Sequence, residues 1–290
     1  MIKDIYQKNR TVFSFEVFPP KKNEDFDNIY KTLDILKTLH PDFISVTYGA
    51  GGSNSKKTSA IASYIKNNCG IEPIAHLTAV AMDEPFLIHF LDELKENGVS
   101  NVLALRGDRP KDMSDSDYEH RIFLHAEDII RVIHQHSDIC VAAACYPEIH
   151  PESDSRERDL YYLKQKIDSG VNFLITQMFF DNEVFYSFRE QAQKAGIQIP
   201  ISAGIMPVTS ARQLGTSVSL SGTSVPPALS HLVSKYADAP KELYKAGLDY
   251  AITQINDLIA NGVDGIHIYT MNKASTACEI MSNITRGGFS

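Results

Sequence analysis

Eight short apolar runs alternate with amphipathic stretches along the whole chain, and this alternation restricts the possible folds more than any other feature. Several runs are almost continuously apolar, such as Val102-Leu-Ala-Leu, Val141-Ala-Ala-Ala and Phe173-Leu-Ile. Strands of this kind are buried on both faces, as in a parallel sheet that helices cover. The runs span residues 12–18, 43–48, 73–80, 102–107, 139–146, 173–180, 201–206 and 265–271.

Helical patterns fill the intervals between these runs. Apolar residues recur at helical spacing over residues 26–36 and 87–94, and capping signals stand at Asp83 and Asp181. Eight strands alternating with helices predict an α/β fold, a single (β/α)8 TIM-type barrel with its active site at the C-terminal face of the strands. We predict one catalytic domain over residues 1–290. A doubly wound open sheet with a second domain is the alternative, because periodicity does not establish closure.

The composition restricts the class of protein and of partner. With 28 Lys and Arg against 36 Asp and Glu, the net charge is −8, which argues against nucleic acid or an anionic membrane as partner. No apolar run is long enough to cross a membrane, and the N-terminus lacks the apolar segment of a signal peptide. The four cysteines form no C-x-x-C pair and indicate reduced thiols. We therefore expect a cytoplasmic protein without membrane or nucleic-acid partners.

Two segments interrupt the alternation. Residues 108–117 are polar and follow the fourth run, and residues 215–227 are rich in Ser, Gly and Thr and follow the seventh. We predict that both are loops on the active face of the barrel, where the loops that follow strands gather.

Polar residues stand at the ends of most apolar runs. In a barrel, such a residue points into the site, whereas in mid-strand it would be a buried polar group at a cost in free energy. The alternative is that these residues are polar only because the strand ends are exposed to solvent. The residues concerned are Glu16, Thr47 with Tyr48, His76, Arg106 with Asp108, Tyr146, Gln177 and Tyr269 to Lys273.

Glu16 is the strongest candidate for acid–base chemistry. It is flanked by Phe15, Val17 and Phe18, and a carboxyl group among aromatic rings should have a raised pKa, because burial disfavours its charged form. A raised pKa would suit a general acid. The alternative is a carboxylate that pairs with a nearby cation or turns outward.

Three further features are less specific. The Gly-rich turn after Thr47 and Tyr48 could bind an anion at a helix start, although it matches no phosphate-binding motif. His76 and His150 could converge with Glu16 and Asp108, but neither of these histidines has a second histidine at metal-ligand spacing, so we predict no metal site. Lys273, just past the last run, would be the nucleophile if the barrel were a Schiff-base aldolase or lyase.

The strings at the ends of the runs, taken together, resemble the methylenetetrahydrofolate reductase family of folate-dependent flavoproteins. Eight segments match in order and cover nearly the whole chain, which makes the resemblance specific. They are FSFEVFPPK (13–21), SVTYGAGGS (45–53), AHLTAV (75–80), LALRGDRP (103–110), CYPEIHPES (145–153), ITQMFFD (175–181), GIMPV (204–208) and HIYTMNKA (267–274).

The resemblance implies an FAD-dependent barrel that reduces 5,10-methylenetetrahydrofolate to 5-methyltetrahydrofolate by a ping-pong hydride transfer, with NADH or NADPH as the donor. Glu16 matches the family's catalytic glutamate, the general acid that helps the folate's five-membered ring to open. Asp108 matches a catalytic aspartate near both flavin and folate. Gln177, Gln213 and Lys273 match residues that contact the folate. Family relatives form homo-oligomers, which we expect here too.

The resemblance also implies a flavin-binding set whose residue types suit the ligand: small residues for close approach, rings for stacking and cations for the pyrophosphate. The set consists of Thr47, Tyr48, Ala50, His76, Arg106, Gly107, Asp108, His125, Ala126, Ala144, Tyr146, His150, Asp159 and Lys166.

Three positions depart from the family pattern. His125 replaces a common Tyr, Lys273 replaces a common Arg, and Ser217 stands where some relatives carry an aromatic residue that helps to hold folate and nicotinamide. The change at Ser217 raises a second hypothesis, in which a partner electron-transfer subunit reduces the same flavin and folate barrel. The chain has no cluster-binding cysteines of its own.

Overall fold

Eight parallel strands form a closed barrel, in which each strand pairs with its sequence neighbours and β8 pairs with β1. The computed structural model describes residues 1–8, 10–20, 26–48, 55–110 and 112–285. The predicted (β/α)8 barrel is confirmed, and the open-sheet alternative is wrong. The strands are β1 (Val12–Val17), β2 (Phe43–Val46), β3 (Glu72–Thr78), β4 (Asn101–Leu105), β5 (Cys140–Cys145), β6 (Phe173–Thr176), β7 (Ile201–Ile205) and β8 (Gly265–Tyr269).

Helices connect the strands and surround the barrel. Two predicted helix starts are confirmed, since the carboxylates of Asp83 and Asp181 accept hydrogen bonds from the backbone N–H groups of Phe86 and Glu183. The helices are α1 (Phe26–Leu36), α2 (Ser55–Asn67), α3 (Glu84–Glu96), α4 (Asp115–Glu119), α5 (Ala126–His136), α6 (Arg156–Asp168), α7 (Asn182–Lys194), α8 (Ala211–Ser221), α9 (Pro227–Lys235), α10 (Pro240–Ala260) and α11 (Ala274–Asn283). Within the described residues, no helix is both long and apolar enough to cross a bilayer.

The predicted loop over residues 215–227 is wrong in its first half, because α8 continues to Ser221. Ser210 caps the start of this helix, and Gly222 ends it in a left-handed conformation. Leu214 and Ser217 are buried on one face. Packing and capping therefore outweigh the weak helix propensity of the Ser, Gly and Thr residues. The other predicted loop, residues 108–117, is largely irregular but includes the start of the short helix α4.

The lower half of the barrel, at the N-terminal ends of the strands, is filled by apolar side chains. The N-terminal segment closes it from below: the backbone N–H of Ile2 donates to Asn101 at 2.9 Å, and the Tyr6 hydroxyl lies 2.7 Å from that of Ser202. We call this packed half the floor. Its buried residues are Ile2, Val12, Phe43, Ile74, Leu103, Cys140, Ala142, Phe173 and Ile175.

The upper half of the barrel interior is polar, because alternate residues of each strand point inward. On β1, Phe15 and Val17 face outward into the apolar layer beneath the helices. Ser14 and Glu16 face inward, where they contact residues of β2 and β8. The polar side chains that surround Glu16 therefore lie in the half of the barrel where its strands finish.

Candidate functional site

Glu16 lies at the centre of the upper barrel, among polar groups from three other strands. Its Oε2 atom is 3.5 Å from Nε2 of His76 on β3 and 3.6 Å from Nε2 of His267 on β8. The hydroxyl of Ser45 on β2 donates to the same oxygen at 3.5 Å. The carboxylate remains 19% exposed, whereas His267 is fully buried. A substrate at the mouth of the barrel can therefore reach Glu16 from above.

The prediction that the pKa of Glu16 is raised is wrong. Burial by itself raises that pKa, but the hydrogen bond with His267, the electrostatic interaction with the two histidines and the Ser45 hydroxyl together lower it below its ordinary value. The apolar neighbours Phe15 and Val17 do not desolvate the carboxylate, because their side chains point to the opposite side of the strand. Glu16 is therefore ionised near neutral pH in the ligand-free protein.

His76 is held in its neutral form. It is 5% exposed, and burial lowers its pKa to about 4, although the charge of Glu16 opposes the shift. Its Nε2 atom has no hydrogen-bond partner among the described residues. A buried ring nitrogen without a partner is a candidate contact for a bound ligand.

The lowered pKa of His76 predicts a loss of stability in acid. The group binds its proton near pH 6.5 when unfolded and near pH 4 when folded, so its contribution is fully present above pH 6.5 and is lost as the pH falls towards 4. We expect the free energy of unfolding to drop by about 3 kcal/mol over this interval on account of this residue. Denaturant unfolding at a series of pH values measures the drop. His76→Asn should remove it, and an unchanged pH slope in that variant would contradict the assignment.

Tyr269 ends β8, and its side chain reaches towards β6 and β7. Its hydroxyl donates to the backbone oxygen of Thr176 at 2.7 Å, and burial together with the charge of Glu16 raises its pKa well above the ordinary value. Gly204 on β7 leaves the room that this ring occupies, because a Cβ atom there would lie 2.7 Å from the Tyr269 hydroxyl and 2.4 Å from the Thr176 oxygen. Tyr269 is therefore a fixed, protonated phenol beside Glu16.

The turn after β8 clamps the end of β1. The Thr270 hydroxyl donates to the backbone oxygen of Glu16 at 2.6 Å. The side chain of Asn272 accepts from the N–H of Phe18 at 3.0 Å and donates to its oxygen at 2.9 Å. Met271 and Asn272 both adopt left-handed backbone conformations to make this turn. The backbone on either side of Glu16 is thus fixed by hydrogen bonds.

Lys273 follows this turn and is exposed, with its amino group 3.4 Å from the Thr209 hydroxyl. A Schiff-base lysine is activated by removal from water or by a neighbouring cation. The exposed position of Lys273 therefore does not favour the aldolase or lyase alternative.

A second polar group lies where β4 ends. Arg106 forms a bidentate ion pair with the exposed carboxylate of Glu152. Gly107 has a φ of +81°, and a Cβ atom there would lie 2.8 Å from atoms of both Thr78 and Val80. Only glycine fits this turn, which leads the chain from the barrel to the exposed Asp108.

The segment after β5 adds two rings, a carboxyl group and a lysine. The rings of Tyr146 and His150 meet edge to face with centroids 4.6 Å apart. Asp159 and Lys166 come from α6; the Lys166 amino group donates to the backbone oxygen of Ala144 at 2.6 Å, and burial lowers its pKa. We call Arg106, Tyr146, His150, Asp159 and Lys166 the β4–β5 wall. Its residue types suit a ligand with both rings and anionic groups.

Arg156 holds this wall in place. Its guanidinium donates to the backbone oxygens of Tyr146, Pro147 and Glu148 and lies 3.6 Å from the Asp159 carboxylate. Three carbonyls on one guanidinium fix the path of the loop that carries Tyr146.

Four of the other predicted cofactor residues lie at the same end of the barrel. Thr47 follows β2 and is half-buried, and Tyr48 is buried with its ring against Phe90. His125 and Ala126 stand at the start of α5, His125 exposed and Ala126 buried. Ala50 lies outside the described residues.

The two predicted folate-contacting glutamines differ in their surroundings. Gln177 follows β6 directly and is half-buried, and its backbone N–H donates to Cys145. The Gln213 side chain accepts from the N–H and hydroxyl of Thr209 and donates to the Pro207 oxygen at 3.0 Å. The Gln213 amide therefore makes its hydrogen bonds within the loop between β7 and α8 in the ligand-free protein.

Sequence reasoning did not single out Ser14, Ser45 and His267, although all three face Glu16 or its partners. Two of them could have been found from strand periodicity, because Ser14 precedes Glu16 by two positions and His267 precedes Tyr269 by two. Ser45 needs the register between β1 and β2, which pairs it with Glu16. In the part of the chain that the structure describes, no three His, Cys, Asp or Glu side chains form a group that could hold a metal ion.

Comparison with known sequences identifies similar proteins over nearly the whole chain. A family model described as methylenetetrahydrofolate reductase matches residues 1–285. A 5,10-methylenetetrahydrofolate reductase of Pectobacterium carotovorum is 33% identical over 273 residues, covering 94% of this chain and 90% of that protein. The corresponding Escherichia coli protein is 32% identical over 267 residues, covering 92% and 88%.

A plant relative is longer. Methylenetetrahydrofolate reductase (NADH) 1 of Arabidopsis thaliana is 32% identical over 294 residues, which cover 98% of this chain but 50% of that protein. The chain thus spans about half the length of this relative.

Among solved structures, a protein from Clostridium thermocellum that binds two copies of 5-methyl-5,6,7,8-tetrahydrofolic acid has a similar fold. Its TM-score is 0.68 at 13% identity, covering 97% of this chain and 96% of that one. At this identity, the likeness concerns the fold alone.

Proposed function

Since the chain belongs to the methylenetetrahydrofolate reductase family, we propose that it reduces 5,10-methylenetetrahydrofolate to 5-methyltetrahydrofolate at the mouth of the barrel. The observation that carries the proposal is the convergence of His76, His267 and Ser45 on the accessible carboxylate of Glu16. A partly exposed carboxylate with proton-bearing neighbours suits a reaction in which a proton must reach a ring nitrogen.

FAD is the cofactor that we propose, and the residues present fit it. The β4–β5 wall offers the cations Arg106 and Lys166 for a pyrophosphate and the Tyr146–His150 ring pair for stacking. The partnerless Nε2 atom of His76 is a further polar contact for a bound ring system. When bound, FAD would carry the hydride between the donor and the folate.

The protein's own contribution would be placement and proton supply. We propose that Glu16 provides the proton that helps the five-membered ring of the folate to open, with Asp108, Gln177, Gln213 and Lys273 as folate contacts. Because Glu16 is ionised in the free protein, it would take up a proton before it acts. Exclusion of water by the substrate would favour this, since burial raises the pKa of a carboxyl group.

For the electron donor we propose NADH or NADPH, which would occupy the mouth in turn with the folate in a ping-pong order. The name of the Arabidopsis relative includes NADH, which supports NADH. The alternative donor is a partner electron-transfer subunit, which the small Ser217 in place of an aromatic residue favours.

Lys166→Met should weaken FAD binding by about 10–100-fold, because it removes one charge-assisted hydrogen bond while keeping the apolar stem of the side chain. Flavin fluorescence after serial dilution of the purified protein measures the retention. Lys164→Met is the matched control: it lies on the same helix but pairs at the surface with Asp168, so it should retain flavin normally. Equal retention in the two variants would count against a pyrophosphate contact at Lys166.

The proposed function is tested by the visible spectrum of the purified protein under anaerobic conditions. A bound flavin should bleach when NADH or NADPH is added, and 5,10-methylenetetrahydrofolate should then restore its colour. A flavin that stays oxidised with both nucleotides but is reduced by dithionite and reoxidised by the folate would favour the partner-fed alternative. Failure of FAD to co-purify or to bind when added would refute the cofactor assignment.

A further inference from the structure

We propose that Glu152 competes with the diphosphate of the cofactor for Arg106, so that this carboxylate lowers the affinity of the protein for FAD. This role of Glu152 rests on the proposed function, in which Arg106 and Lys166 contact the pyrophosphate. Glu152 itself belongs to none of the predicted site residues, and its effect is opposite to theirs.

Glu152 is held beside the β4–β5 wall by a turn in the loop between β5 and α6. Its backbone N–H donates to Nδ1 of His150 at 3.1 Å, and the N–H of Ser153 donates to the backbone oxygen of His150 at 2.8 Å. The hydrogen bond with Arg106 and the electrostatic interactions with Arg106, His150 and His125 outweigh burial and lower the pKa of the Glu152 carboxyl group. Glu152 therefore meets three members of the predicted flavin-binding set.

The ion pair occupies an edge of the Arg106 guanidinium that suits a phosphate. Nη2 of Arg106 donates to Oε1 of Glu152 at 2.8 Å, and Nη1 donates to Oε2. Arginine binds phosphate in the same arrangement, with two N–H donors to two oxygens. The side chain of Arg106 is 26% exposed and that of Glu152 is 60% exposed, so the carboxylate lies on the solvent side of the pair. A ligand that approaches from solvent meets the carboxylate first.

The Glu152 carboxylate is free to leave this position. In the described part of the chain, only Arg106 donates hydrogen bonds to it, and exposed ion pairs contribute little free energy. Asp159, the other carboxylate near His150, differs: it accepts from the backbone N–H of His150 at 3.4 Å and lies 3.6 Å from the Arg156 guanidinium. Glu152 can therefore turn out into solvent, whereas Asp159 stays in the wall.

The exchange of one anion for another determines the sign of the expected effect. When a phosphate replaces the carboxylate, Arg106 loses one bidentate partner as it gains the next, so the net gain is smaller than for an unpaired guanidinium. The displaced carboxylate also stays near the negative charges of the diphosphate, because the turn at His150 holds its backbone, and like charges repel each other. The amino group of Lys166 donates to a neutral backbone oxygen instead, so the competition concerns Arg106.

Glu152→Gln should bind FAD about 3–10-fold more tightly than the wild-type protein, because it removes the competing charge and keeps the size of the side chain. Flavin fluorescence during serial dilution of the purified, flavin-loaded proteins measures the two dissociation constants. Asp154→Asn is the matched control. Asp154 lies two residues further along the same loop but pairs with the exposed Arg158, which is outside the wall, so this variant should bind FAD as the wild type does.

Ionic strength supplies the second readout. In about 1 M sodium chloride, interactions between exposed charges are screened beyond about 3 Å, so the ratio of the two dissociation constants should fall towards one. Equal or weaker binding by Glu152→Gln would overturn the proposal and would indicate that Glu152 holds Arg106 in place for the cofactor. An equal gain in Asp154→Asn, or a ratio that salt does not change, would also overturn it.

The same measurements distinguish failure of the competition from failure of the proposed function. If neither the wild type nor Glu152→Gln binds FAD, the cofactor assignment fails and the competition fails with it. If both proteins bind FAD with equal affinity, only the competition fails. Tighter binding by Glu152→Gln in a protein that never reduces the folate would refute the proposed function and leave the competition standing.

Discussion

Glu16→Gln is expected to lower the rate of folate reduction by about 10²–10⁴-fold while the donor still reduces the flavin at close to its normal rate. Glutamine keeps the size and polarity of the side chain but cannot deliver a proton. Its neighbours His76, His267 and Ser45 come from three other strands and should hold it in place. Anaerobic stopped-flow measurement of the two half-reactions separates the two rates.

Glu190→Gln is the matched control for this prediction. Glu190 lies on α7 in an exposed ion pair with Lys194, and such pairs contribute little to stability or function. Both half-reactions should proceed normally in this variant. Normal folate reduction by Glu16→Gln would show that Glu16 does not act as the acid. Slow flavin reduction in the Glu16→Gln variant would instead indicate a disturbed cofactor site.

Gly204→Ala should destabilise the barrel by about 2–4 kcal/mol, combining overpacking with the loss of one buried hydrogen bond. The added Cβ would lie 2.4 Å from the backbone oxygen of Thr176 and 2.7 Å from the Tyr269 hydroxyl. The oxygen belongs to the neighbouring strand, so the backbones of β6 and β7 must shift apart, and the Tyr269 ring must leave its hydrogen bond with this oxygen. Denaturant unfolding at neutral pH measures the loss.

Gly215→Ala is the corresponding control. Gly215 lies inside α8, where a Cβ atom would meet nothing within 4 Å. This substitution should stabilise the protein by about 0.5–1 kcal/mol, since alanine loses less conformational freedom in a helix. If Gly204→Ala were as stable as Gly215→Ala, the close packing of Tyr269 against β7 would be disproved.

The barrel, and the end of it at which the polar residues lie, could be predicted from the sequence, because the burial of a strand depends on the residues of that strand alone. A run such as Val141-Ala-Ala-Ala is apolar on both faces, and this can be seen without knowing which strands it pairs with. The end of the run then marks the rim of the barrel, so Glu16 and Gln177 could be assigned to the candidate site from their positions alone.

The electrostatics of Glu16 could not be predicted in the same way. Adjacent residues in a strand point to opposite faces, so Phe15 and Val17 say little about what surrounds the carboxylate. Its neighbours in space are Ser45, His76 and His267, which lie up to 251 positions away along the chain. They meet only because the barrel closes with this register between its strands. The pKa prediction failed because it used sequence neighbours in place of spatial ones.

The packed floor beneath Glu16 has a consequence for the order of events in a catalytic cycle. Apolar side chains and the N-terminal segment close the barrel from below, so bulk water and its protons approach the carboxylate from the mouth, the same opening that a substrate must cover. A substrate that covers that opening would stand between Glu16 and the bulk water. The proton that we propose for Glu16 would then be taken up while the substrate binds, and the site would exchange protons with bulk water again only after the product has left.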